Sequence, residues 1–478
     1  LGLAIDYGLL MVSRFREEYR ATGLQPEGQA IPALRLAAIT RTANTAGRTV
    51  LFSGITFAIA SLGLLVFEPR IVRAIGLGSI IVTVIAIVSA LTLIPALLGL
   101  AGDRLVRPGA LTRLPVVGRR IAHFGDIAPE EGLFSRLTRR VQRRPALVTV
   151  LSALALLAMA SPVLSMSLAN TASDAIPASV VQKVFVTTLN DEFPDAANPR
   201  VALVTDTEAD GEQWASDIES MPGVTAVRTT VERGDGWRTV VQVEPADGLD
   251  VVRDIRAERP DFPALVTGTD ARTLDFSQAL VDRAPWVILI VAFGTVLLLF
   301  LMTGSLVVPI KALLASALSL GASFGVLVWG FQWGNFAPIM GFDASEVLGV
   351  DVLVVLLVLV FGFGLAMDYE MFILSRIKEF VDAGVSGREA IALGLQRSGR
   401  IISSAALIIV VVFAGFATGD LMVIKQLGVA LAVAVVLDAT LVRMLLVPAF
   451  MTWQEPIMWW APRWMKRLHA RFGLSDAE

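Results

Sequence analysis

Apolar positions in this chain collect in runs of about 20 residues with almost no charge, the length needed to cross a bilayer. Eight complete spans are predicted, at roughly 49–67, 72–100, 146–168, 285–303, 307–331, 349–374, 401–417 and 423–449. Each is a helix, because a lone spanning segment must satisfy its own backbone hydrogen bonds. A shorter apolar stretch opens at Leu1 and reaches charge at Arg14. Its thirteen residues of helix span only about 20 Å, against a hydrocarbon core of about 30 Å. The expectation is a chain that starts partway through a transmembrane helix.

One long segment breaks the apolar rhythm. In 169–283 Asp, Glu, Thr, Pro and Gly rise, and β-type runs appear at 200–207, 224–230, 237–245 and 264–268. Polar helical stretches at 211–221 and 249–258 lie between them, which predicts a small α+β or α/β domain. The loop 102–145 is Arg- and Pro-rich and reads as a linker with one amphipathic helix around 131–144.

Charge assigns the sides. Residues 13–48 carry six Arg, 102–145 ten, and 375–400 five basic residues, whereas 332–348 carry none and 418–425 only Lys425. By the positive-inside rule the basic loops are cytoplasmic, and the domain 169–283 is extracytoplasmic. Its own ten basic residues do not contradict this, since long loops escape the rule. Seven of nine Trp sit at span ends or in the tail, as an interfacial belt requires.

Composition then excludes whole classes. At 478 residues, 55% hydrophobic and 17% charged, the chain is no soluble enzyme, disordered chain or fibre. It has no cysteine, which removes disulfides and thiolate metal sites. Two histidines, His123 and His469, are too few for a histidine metal centre. The net charge of −3 carries no sign of nucleic-acid binding, because the charges divide by side of the membrane.

The strongest pattern is a repeat. Residues 2–18 (GLAIDYGLLMVSRFREE) align with 364–380 (GLAMDYEMFILSRIKEF), sharing GLA, DY and SR at one spacing. Residues 46–60 answer 398–412, and IPALL (94–98) and VPAFM (447–451) close the two blocks. Parallel duplication of this kind builds secondary transporters, and repeat symmetry puts roughly 215–220 residues before Leu1.

The repeat carries an acid in its middle. Asp6 lies eight residues before Arg14, and Asp368 eight before Arg376. Both carboxyls therefore sit roughly 12 Å inside the cytoplasmic arginine level. An ionised Asp there costs a few kcal/mol or more, and such residues mark ion or proton pathways. Tyr7 and Tyr369 point about 100° away from their own Asp. In a two-fold arrangement each Tyr reaches the Asp of the other repeat, so Asp6, Tyr7, Asp368 and Tyr369 are the candidate proton relay. Gly2 and Gly364, one turn earlier, are expected to let the two helices approach.

Weaker candidates surround this core. Ser53, Thr56 and Ser404 lie early in the helices after the DY helices. They are candidates to donate to the carboxylates, although Ser and Thr in spans often bond their own backbone. Asp438 is a mid-span acid with Arg443 five residues on. It reads as half of a structural ion pair, with a secondary relay role as the alternative. Asp351 is 17 residues before Asp368, about 25 Å along a helix, and reads as a solvated end charge or a place at a proton entrance. GASFG (321–325) matches G-x-S-x-G, but inside an apolar span it reads as helix packing, not a nucleophile elbow. No G-x-x-x-x-G-K-[ST] occurs, which disfavours an ATP-driven pump.

The paired GLA-(I/M)-DY…SR segments, the GR before the next span and DATLVRMLLVPA (438–449) resemble the MMPL family of actinobacterial transporters, within the resistance-nodulation-division superfamily. The resemblance covers essentially the whole chain. It implies a polytopic α-helical membrane protein with an inserted α+β periplasmic porter domain and two parallel repeats, the first incomplete. On that scheme 1–101 ends the first repeat (part of helix 4, helices 5 and 6), and 102–145 is a cytoplasmic linker. Residues 146–168 are helix 7, 169–283 the porter domain, 284–449 helices 8–12 and 450–478 a cytoplasmic tail.

The implied function is export of lipids or other hydrophobic compounds across the bacterial inner membrane, driven by proton uptake through the Asp–Tyr pairs. It implies no enzyme activity, no cofactor beyond the proton gradient and no metal. The implied partners are membrane lipids and a hydrophobic or lipid substrate, with no nucleic acid and a monomeric or trimeric state. The alternatives are a non-transporting sterol-sensing-type regulator or scaffold, and a protein-translocation accessory of the same superfamily. Retention of both DY pairs argues against the regulator, and the translocation motifs differ from DY…SR.

Overall fold

A computed structural model describes residues 2–22, 31–106, 132–169, 184–185, 188–189, 192, 199–233, 237–245, 248–258, 260–344, 347 and 349–472. Among the described residues, eight helices are long and apolar enough to cross a membrane. They follow α1 (Gly2–Thr22), the helix that carries the first DY motif.

The first block continues with α2 (Ile31–Gly63), α3 (Arg70–Leu91) and α4 (Leu93–Val106). Of the loop 102–145, residues 107–131 lie outside the described residues, and α5 (Leu133–Val141) is the expected amphipathic helix. Gln396 accepts a bond from the Ser135 N–H at its first turn. α6 (Pro145–Ala160) starts with proline at its first position, where the missing N–H costs nothing.

The inserted domain is built on a four-stranded antiparallel sheet, with strands Val224–Arg233, Trp237–Pro245, Val201–Thr205 and Ala264–Thr267 side by side in that order. The chain runs β2 (Val201–Thr205), α7 (Glu208–Glu219), β3 (Val224–Arg233), β4 (Trp237–Pro245), α8 (Gly248–Ala257) and β5 (Ala264–Thr267). This is a β-α-β-β-α-β unit in which two crossover helices cover one face. Val201, Leu203 and Val243 of the sheet pack on Trp214, Ile218, Val252 and Ile255 of the helices. Thr207 caps α7 by accepting from the Asp210 N–H. A short parallel pair, β1 (Leu168–Ala169) with β6 (Val350–Asp351), joins the segment that follows α6 to the one that precedes the helix starting at Val352.

α9 (Thr269–Thr303) belongs to both parts. Its first turns place Ala271 and Leu274 in the sheet domain's core, and Val287, Val291 and Leu299 lie in the membrane core. At 35 residues it is about 52 Å of continuous helix. α10 (Val307–Gln332) follows, and Gly325 leaves no room for a Cβ beside the Met159 carbonyl of α6. Ser323 donates to the Ser319 carbonyl, so GASFG is helix packing here.

The second block consists of α11 (Val352–Asp382), α12 (Gly387–Ala417) and α13 (Met422–Trp453), with α14 (Arg463–Phe472) at the end. α11 and α13 each contain a π-helical stretch, Val358–Gly362 and Asp438–Leu446. Such stretches concentrate at functional sites. Six Trp at or near span ends, Trp286, Trp329, Trp333, Trp453, Trp460 and Trp464, are exposed.

Candidate functional site: a buried pair of acids between the repeats

α1, α2, α11 and α12 enclose a narrow crevice, and each contributes three lining residues. α1 gives Asp6, Tyr7 and Leu10, and α11 gives Asp368, Tyr369 and Phe372. α2 gives Thr49, Val50 and Ser53, and α12 gives Ile401, Ile402 and Ala405. Every lining residue has its repeat counterpart among the other lining residues, so the crevice lies between the two repeats. Its width admits a water molecule.

One substitution between the repeats breaks the symmetry. Ser53 of the first repeat corresponds to Ala405 of the second. The Tyr369 hydroxyl, with no hydroxyl partner on α12, donates to Asp6 Oδ2 at 2.7 Å. The Tyr7 hydroxyl instead bonds Ser53 Oγ at 3.0 Å, and Ser53 in turn interacts with the Asp368 carboxyl. One acid is thus held directly by the opposite tyrosine, and the other through a serine. Gly54 allows this arrangement, since a Cβ there would stand 2.4 Å from Ile87 and 3.3 Å from the Tyr7 hydroxyl.

Both acids keep an unused oxygen. Asp6 Oδ1 and Asp368 Oδ1 are buried without a hydrogen-bond partner. A buried carboxylate oxygen left unbonded is costly, and structures retain such groups where they act. Two unbonded acceptors on residues that line a crevice wide enough for water are suited to taking up a proton.

The charges around the tyrosine come from α13. Arg443 is 1% exposed and stacks its guanidinium 4.6 Å from the Tyr369 ring centre. It donates to the Ala366 carbonyl at 2.8 Å and forms an ion pair with Asp438. Its charge acts on both Asp6 and Asp368. Residues five apart on an α-helix point about 140° from each other. The π-helical turns from Asp438 to Leu446, with i→i+5 bonding, bring Asp438 and Arg443 onto one face. Asp438, Ser319, Gly362 and Tyr369 line a second small cavity, so Tyr369 separates it from the acid crevice.

Sequence reasoning misses a second buried ion pair, Lys311 with Glu370. Glu370 follows Tyr369 directly and aligns with Gly8 of the first repeat, so the repeat comparison passes over it. The available signal is Lys311, a lysine set into an apolar run. Both side chains are 5% exposed, and Glu370 also acts electrostatically on Asp438.

Several expected roles change. Thr56 donates to its own helix at the Phe52 carbonyl and contacts Met371 sulfur, away from the acids. Ser404 donates to the Arg400 carbonyl and is exposed; the residue facing the crevice is Ala405. Both follow the tendency of hydroxyls in apolar helices to bond the carbonyl one turn back. Gly364 does not seat α11 on α1: a Cβ there would meet the Phe57 ring of α2 at 2.3 Å. The packing of Gly2 lies outside the described residues. Asp351 is 3% exposed and caps α11, accepting from the Leu353 N–H at 2.8 Å, so it is no solvated end charge.

Comparison with known proteins bears on these features. Residues 1–148 and 195–473 match the model of the MMPL family. A membrane protein of Streptomyces coelicolor is 40% identical over the whole chain, which spans 64% of that protein. The trehalose monomycolate exporter MmpL3 of Mycobacterium tuberculosis is 33% identical over the whole chain, which spans 53% of it. Among solved structures, SecDF of Thermus thermophilus, a translocon-associated membrane protein, aligns with a TM-score of 0.54 at 15% identity. That alignment covers 95% of this chain and 54% of SecDF, and it speaks to the fold alone.

Proposed function

The chain belongs to the MMPL family, as a multi-pass protein of the bacterial inner membrane, and from that premise we propose that it works in proton-driven export of lipids or other amphiphilic compounds. The carrying observation is the pair of repeat-related acids, Asp6 and Asp368, in one crevice with a free oxygen each. The exporter name of its mycobacterial relative supports a lipid as cargo.

In this reading a proton entering the crevice neutralises one carboxyl. Neutralising Asp6 weakens a charge-assisted bond from Tyr369 to an ordinary one, a loss of about 1 kcal/mol or more. Tyr369 is sandwiched against Arg443, so its release alters the seating of α11 on α13. α2 transmits the change, because it packs on α11 at Phe57 and on α9 at Ile59 and Gly63. α9 runs unbroken into the sheet domain, which presents or releases the cargo.

The test is Asp368→Asn in the whole protein, with transport of a labelled lipid followed in energised vesicles. Loss of transport at normal expression is expected. Undiminished transport, or export indifferent to collapse of the proton gradient, refutes the relay.

A further inference from the structure

One helical turn past Leu10 and Phe372, about 6 Å towards the cytoplasm, four charged side chains close into a ring. Arg14 pairs with Glu17 at 3.1 Å, Glu17 with Arg376 at 3.0 Å, Arg376 with Glu379 at 2.9 Å, and Glu379 with Arg14 at 3.7 Å. The ring obeys the repeat: Arg14 corresponds to Arg376 and Glu17 to Glu379. Two of its four contacts lie within a repeat and two cross between repeats. It therefore straddles the same junction between the repeats as the acid crevice.

The ring also ties together the four helices that form the crevice. Arg14 Nε donates to Thr45 Oγ1 of α2 at 3.1 Å, and Arg397 of α12 pairs with Glu17 at 3.5 Å. Both ring arginines are about nine-tenths buried, with side chains 9% and 10% exposed. A surface ion pair between mobile side chains contributes little. Reciprocal pairs anchored on two buried arginines, joining four helices at the mouth of a cavity, have the geometry of a closure.

We propose that the ring of Arg14, Glu17, Arg376 and Glu379 is the cytoplasmic gate of the acid crevice. Closed, it denies water and protons a path from Asp6 and Asp368 to the cytoplasm. It opens when α1 and α11 shift and the two cross-repeat contacts part. An always-open mouth would let protons run through without moving cargo, so the gate enforces coupling. This inference rests on the relay reading above.

The experiment is proton flux in proteoliposomes carrying the whole protein and an internal pH-sensitive dye, under an imposed gradient and without cargo. The variants are Glu17→Gln with Glu379→Gln, and the same pair with Asp6→Asn and Asp368→Asn. The gate predicts a leak raised about tenfold or more in the double glutamine variant. It predicts that the two Asn substitutions abolish the leak. A monodisperse double glutamine variant as tight as the parent, still exporting cargo in an Asp368-dependent way, overturns the gate and leaves the relay standing. A leak that persists in the Asn background overturns both.

Discussion

Asp438→Asn tests whether the buried charge beside Tyr369 is held as described. In the parent, Arg443 is 1% exposed and has three kinds of partner: Asp438, the Ala366 carbonyl and the Tyr369 ring. Its Nε and Nη1 make no hydrogen bond. The substitution keeps the shape and removes the countercharge, leaving a guanidinium buried against one carbonyl and one ring. Breaking a buried pair in this way costs about 3–5 kcal/mol, or roughly 10²- to 4 × 10³-fold in the folded-to-unfolded ratio at 1.4 kcal/mol per decade. Replacing both members by apolar residues of similar volume, Asp438→Leu with Arg443→Met, removes the uncompensated charge and is expected to cost much less. The assay is equilibrium unfolding of the purified protein in mixed detergent, read by tryptophan fluorescence. A single variant costing under about 1 kcal/mol, or a double variant no better than the single, refutes this account.

Three further outcomes follow from the same geometry. Tyr369→Phe removes a hydrogen bond to a carboxylate worth about 1.5–3 kcal/mol, so transport is expected to fall about ten- to a hundredfold and unfolding to show a loss of that same order. Tyr7→Phe, whose hydroxyl reaches Ser53, should cost less, and equal losses in a transport assay contradict the asymmetry. Gly364→Ala forces the Phe57 ring to move and is expected to destabilise by about 1–3 kcal/mol, partly recovered by Phe57→Leu; thermal unfolding of the three variants decides. At the cytoplasmic ring, burial pushes the Glu17 carboxyl up, but Arg376, Arg14 and Arg397 outweigh it and hold it below the ordinary value of 4.5. A lowered folded value means that its contribution to stability is present above about pH 4.5 and lost as pH falls through the folded value. Thermal unfolding should therefore drop more steeply below pH 4.5 in the parent than in Glu17→Gln, and parallel profiles count against the ring.

How far the sequence reaches depends on the range of the interaction. Span number and the split between helical and sheet parts follow from twenty-residue apolar runs and short β-type runs, both of which act locally. The acids at matching depth were legible too, because a fixed count of residues to a marker arginine becomes a fixed distance on a helix. Lateral facts were not. Which hydroxyl faces a carboxylate depends on helix rotation, so Ser53 enters the crevice while Thr56 and Ser404 turn to their own backbones. Gly364 meets Phe57 because α2 lies beside α11, a contact between positions 307 residues apart that no local period encodes. The Asp438–Arg443 ion pair was legible in the sequence, but its geometry was not: five apart on an α-helix the two diverge, and the π-helical turns bring them onto one face. The charge ring, finally, needs both repeats in place. Each half carries its own Arg and Glu in plain view, and the closure between them exists only once the repeats have docked.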